Sequence, residues 1–349
     1  MVFKAHIVLA GIGAMFVPRT TAETEATSPA LAIFTLGQAE TSLSFIGILP
    51  VAVRDDVTTI LAYRLLSKLW VQYRIDCGLS HGRTLFSLDN GYALRLFATL
   101  VDGLADWSPL RSALAMVRAH ATALSPKELH IYEYEYEGKR ELLEEVCDQM
   151  DRLPVDLDPV GRSTLLIERC QKIGEWDEVG ICWALNLATA LRMDVLGVSK
   201  ASLPCPALLR RELLRFDRSK SWRDKALLSS LSESAHGVAE TIFAAFHGVT
   251  SFETRFSELR SNSRLRFAYV LLAGIGELSP SILSQLVGCS EPGARKMLKQ
   301  LADAGFARHH PPAPGYVHVE RYRLGWARAP WLRSYSLDAG PPALDLFDE

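Results

Sequence analysis

The chain has no Cys-x-x-Cys pair, no apolar run long enough to span a bilayer and no marked excess of charge of either sign. Its six cysteines, Cys77, Cys147, Cys170, Cys182, Cys205 and Cys289, are widely separated. That spacing excludes a small disulfide scaffold and argues against a structural zinc. A transmembrane helix needs about 18 or more consecutive apolar residues, so none is expected. A formal net charge of −2 gives no global attraction to nucleic acid, and binding of that kind would have to come from a local basic region. Walker, His-Glu-x-x-His and zinc-deaminase patterns are absent too, so no motif asks for a cofactor or a metal. What is present is 349 residues, 48% hydrophobic and 22% charged, enough for two or three domains with real cores.

Residues 1–29 read as a flexible extension or a signal-like segment. Lys4, the apolar stretch Ile7 to Val17 and Thr20-Thr21-Ala22 imitate the regions of a secretory signal. Gly11-Ile12-Gly13 lacks the third glycine of a dinucleotide fingerprint, and Pro18 interrupts the helix that should follow. Residues 30–250 read as a mainly helical domain for a ligand, a partner or dimerisation. It opens with a small β-hairpin: Ala30 to Leu36 and Leu43 to Leu49 are two apolar runs around the polar connector Gly37 to Ser42. Beyond it, Val57, Ile60, Leu61, Leu65, Leu69 and Val71 recur at helical intervals. Ser108-Pro109 marks a further helix start, and Val179 to Leu196 reads as a core helix. Tyr132 to Tyr136 alternates with period two before a helical stretch, and fits either strand or helix.

The strongest pattern lies in residues 251–333, ahead of a tail at 334–349. Ser279-Pro280 starts a short helix to Val287 that carries Ile282, Leu283 and Leu286 inward. Gly288-Cys289-Ser290 supplies a tight turn and a new N-cap. In the second helix Ala294, Met297, Leu298 and Leu301 form an apolar stripe, Arg295, Lys296, Lys299 and Gln300 face the other way, and Gly305 ends it. Phe306 to His309 and Tyr316 to Arg323 read as two strands around a Pro311 to Gly315 tip. This stretch resembles the winged helix-turn-helix of GntR- and MarR-type bacterial regulators. The resemblance implies that the second helix reads the major groove, through Ser290, Arg295, Lys296, Lys299 and Gln300. It assigns the wing contacts to Arg308, His310 and Arg321. Glu291-Pro292-Gly293 departs from it, because those families often place polar base-contacting side chains there.

Local charge points the same way: residues 251–333 carry twelve Lys/Arg against six Asp/Glu, an excess of +6 that leaves −8 for the rest. Arg255, Arg260, Arg264, Arg266, Arg323, Arg328 and Arg333 are further candidates for phosphate contacts. His309, His310 and His318 are a poor metal set, since adjacent strand residues point opposite ways. Gly78-Leu79-Ser80-His81-Gly82 matches a nucleophile elbow, but helical spacing precedes it where a strand is required. The expectation is therefore a mostly α, cytoplasmic protein with a small hairpin and a C-terminal winged helix-turn-helix. It would bind double-stranded DNA as a homodimer and regulate transcription, with room for a small-molecule or protein effector and no membrane association. Three alternatives stand beside it: a plasmid replication or mobile-element protein, a helical interaction adaptor, and an exported serine hydrolase using Ser80.

Overall fold

The computed structural model describes residues 29–79, 85–86, 91–104, 107–124, 133–173, 181–192, 194–197, 211–215, 218–259, 263–310 and 320–325. The fold is mostly α, with a small three-stranded antiparallel sheet near its C-terminal end. No helix among these residues is long and apolar enough to cross a membrane.

The expected N-terminal hairpin is instead one helix, α1 (Pro29–Gly47). Leu36, Ala39, Leu43 and Ile46 bury one helical stripe, a spacing that two apolar runs around a polar centre also satisfy. The polar residues of the supposed connector are accommodated in the helix, their hydroxyls satisfied by carbonyls one turn earlier. Thr41 donates to Gly37, Ser42 to Gln38 and Ser44 to Glu40. Gly37 has no positive φ, so nothing turns the chain there.

α2 (Val51–Asp76) follows at once and is the central helix, with Val57, Ile60, Leu66 and Trp70 almost wholly buried. Around it stand α3 (Gly91–Asp102), α4 (Ser108–Leu124), α5 (Glu133–Asp151), α6 (Pro159–Ile173) and α7 (Cys182–Leu191). Glu133 to Tyr136 of the ambiguous alternation thus start a helix, and Tyr132 lies outside the described residues. Every residue of α7 is buried, and its Trp183 meets Tyr73 edge to face at 5.3 Å. After a 3-10 turn at Arg211–Leu214 comes α8 (Lys220–Arg255), capped by the Ser219 hydroxyl, which accepts from Trp222 N at 3.2 Å. α1 lies along α8 in parallel: Thr35 meets Ser232, and ten residues later Phe45 meets Phe243 and Phe246.

α9 (Arg264–Ile275) belongs to both parts of the chain. Gly274 is pressed so closely to α2 that a Cβ there would lie 2.5 Å from Tyr63 Cβ and 3.2 Å from the Ile60 carbonyl. Arg64 of α2 donates from Nε to the Ala273 carbonyl at 3.0 Å, at the C-terminal end of α9, and burial pushes its guanidinium down to about 10. Arg266 bonds Asp56 of α2 at 2.6 Å and Glu253 of α8 at 2.9 Å. The boundary expected at 250/251 falls within α8, and one continuous apolar core runs from α1 to the sheet.

β1 (Glu277–Leu278), α10 (Pro280–Val287), α11 (Glu291–Asp303), β2 (Ala307–His310) and β3 (Arg321–Leu324) complete the fold. Strand order is β1-β3-β2, all antiparallel, with Arg308 opposite Arg323 and Glu277 opposite Arg323 on its other side. Leu324 N donates to Gly276 O at 2.8 Å and closes the sheet onto the end of α9.

Candidate nucleic-acid interface

Local devices visible in the sequence set the angle between α10 and α11. The Ser279 hydroxyl accepts from Ile282 N at 3.2 Å and Pro280 occupies the first turn, where a missing N–H costs nothing. Gly288 takes a left-handed conformation, φ 65°, which brings its N–H and that of Cys289 to the Ser284 carbonyl. Two residues later Ser290 caps α11, its hydroxyl accepting from Gly293 N at 3.3 Å. Gly305, φ 86°, ends α11 and lets Phe306 N reach the Leu301 carbonyl.

The inner side of α11 is Ala294, Leu298 and Leu301, all fully buried, with Met297 half-buried beside them. Of the side chains that the resemblance implied for this helix, Lys296, Lys299 and Gln300 are exposed, with no ion pair or hydrogen bond among the described residues. Ser290 is exposed, but its hydroxyl is occupied as a cap. Arg295 is tethered: its Nε donates to Glu320 Oε2 at 2.8 Å and its Nη2 to Glu291 Oε1 at 3.0 Å.

Glu320, just before β3, is the junction between helix and hairpin. Its Oε1 accepts from the Tyr322 hydroxyl at 2.9 Å and lies 3.0 Å from His309 Nε2. Burial alone would raise its carboxyl. The hydrogen bonds from Arg295 and Tyr322 and the charge of Arg295 outweigh that and hold it below the usual carboxylate range. The same contact works on the phenol: burial first, then the bond to Glu320, pushes Tyr322 up to about 12.

The other face of the sheet carries Arg308 and His310 from β2 and Arg321 and Arg323 from β3, all exposed. Glu277 accepts from Arg321 Nη1 at 3.0 Å and Arg323 Nε at 2.8 Å. Two guanidiniums thus share one carboxylate, and Arg308 stands directly across the ladder from Arg323. Like charges so placed repel, by roughly 0.2–1 kcal/mol. Hence the structure places Arg308, His310 and Arg321, which the resemblance assigned to the wing, on one face with Arg323, a further phosphate candidate of the sequence, and supplies a carboxylate that spacing did not reveal.

Arg266 does not join this surface. Its side chain is only 13% exposed and spans two carboxylates, neither of them a partner its sequence neighbourhood suggests. Arg255 and Arg264 are exposed, whereas Arg260, Arg328, Arg333, His318 and the Pro311 to Gly315 tip lie outside the described residues. Ser80 lies outside them as well. What precedes it is α2, ended by Gly78 at φ 67°, not the strand that a nucleophile elbow needs. Among the described residues no group of His, Cys, Asp and Glu is placed to hold a metal ion. No protein-family model and no curated protein sequence matches the chain.

Proposed function

We propose that α10, α11 and the β2–β3 hairpin act as a winged helix-turn-helix, resembling those of GntR- and MarR-type regulators. In this reading the protein binds double-stranded DNA as a cytoplasmic transcriptional regulator. The observation that carries it is the two-sidedness of α11: Ala294, Leu298 and Leu301 seat it on the core, while Lys296, Lys299 and Gln300 project outward without partners among the described residues. A helix held on one side and basic on the other is suited to the major groove. Beside it the hairpin offers Arg308, Arg321 and Arg323 against the single carboxylate of Glu277, an arrangement suited to phosphates. A homodimer fits, because one such module buries little surface and two half-sites raise specificity.

The test is binding of the full chain to random and genomic duplexes across salt concentration, beside a Lys296→Ala/Lys299→Ala variant. Two lost phosphate contacts flatten the slope of log affinity against log salt by roughly 1.8. Absence of wild-type binding at about 50 mM salt, where non-specific association is strong, would falsify the reading.

A further inference from the structure

Arg295 stands apart from the other cations of α11. It lies in the N-terminal half of the helix, on the flank that borders the hairpin, and two carboxylates hold its guanidinium from different elements. Glu291 reaches it from one turn earlier and Glu320 from the base of β3. An arginine has five N–H donors. Here the Nε hydrogen and one of the Nη2 hydrogens are used. The second Nη2 hydrogen and both Nη1 hydrogens remain, and that edge is the pair of donors that meets O6 and N7 of guanine.

The surrounding charge narrows the choice of ligand. One guanidinium between two carboxylates sums to −1, and His309, against the other oxygen of Glu320, offsets this only when protonated. A phosphate is repelled by such a cluster. An uncharged base edge that offers acceptors is not. Lys299 stands one turn along on nearly the same face and Lys296 about 100° round the helix, both within reach of the phosphates that flank such a base.

We infer that Arg295, braced by Glu291 and Glu320, reads a guanine in the major groove, while Lys296 and Lys299 contact phosphate. The inference rests on the DNA-binding reading above and assigns the division of labour within it. Bracing adds specificity because the guanidinium loses little rotamer freedom on binding.

The experiment selects duplexes from a randomised pool with the full chain and measures the cost of each base replacement for the wild type, Arg295→Lys, Arg295→Ala and Lys296→Ala. Melting temperatures confirm that each variant is folded. One guanine per half-site should cost the wild type about 5- to 150-fold when replaced and Arg295→Lys almost nothing, because lysine keeps the charge but cannot bond both acceptors from a fixed fork. The salt slope of Arg295→Ala should match the wild type, and that of Lys296→Ala should flatten by about 0.9. A full base profile retained by folded Arg295→Lys overturns the inference and leaves DNA binding standing, as does a flattened slope for Arg295→Ala. Failure of the wild type to bind any duplex removes both.

Discussion

Gly274 has no room for a methyl group. Alanine would ordinarily favour a helix by roughly 1 kcal/mol over glycine, yet here its Cβ meets Tyr63 Cβ at 2.5 Å. Overpacking of that kind costs about 1–3 kcal/mol, and Gly274→Ala is expected to lower the urea midpoint with an unchanged slope. Glu320 gives a second residue-scale prediction. Its folded carboxyl is held below the ordinary range, so the stability it contributes is complete above the unfolded value of about 4.3 and fades as pH falls through the folded one. Glu320→Gln should therefore lower the melting temperature at neutral pH, with the gap to wild type closing once acidification passes below the ordinary carboxylate range; a gap that persists undiminished in strong acid would contradict this. None of these contacts is legible in the sequence: Arg295 and Glu320 are 25 positions apart, and Arg266 and Asp56 are 210 apart.

Elements were legible where one local device specifies them. Ser279-Pro280, Gly288, Ser290 and Gly305 state the starts and ends of α10 and α11 in residues whose chemistry is used at that very position. Ser290→Ala should cost about 1 kcal/mol in denaturant unfolding through loss of the cap. It should do so without changing the salt slope of any DNA binding, since the hydroxyl serves the helix. α1 was illegible for the opposite reason. Its apolar residues satisfy both periods, and only the partner surface on α8, with Phe243 and Phe246 waiting for Phe45, selects the helix. The alternating tyrosines at the start of α5 show the same limit: a period of two over five residues is too short to outweigh the helix that continues from it.

At the scale of the whole molecule, the excess of basic residues falls on the C-terminal stretch, yet that stretch is less separate than a boundary at 251 implies. Phe252 stacks on Tyr269 at 4.7 Å and meets Phe306 at 5.6 Å, while another face of α9 lies on α2. A fragment starting at Ser251 would lack α2, against which Gly274 is pressed and to which Arg266 and the Ala273 carbonyl bond. Such a fragment should lack a cooperative unfolding transition, whereas the full chain should lose helical signal and Trp fluorescence together. Independent folding of the fragment would show that the shared core is dispensable.

On the proposed DNA-binding reading, the seam between α2 and α9 also bears on the arithmetic of an operator. A reading head on a loose tether tolerates variable distance between half-sites; one wedged against the body of its own protein does not. Two copies joined through their helical parts would present their α11 helices at one fixed separation. Five base pairs inserted between the half-sites, about half a helical turn, would place the second site on the wrong side of the duplex, with no slack in the protein to follow it.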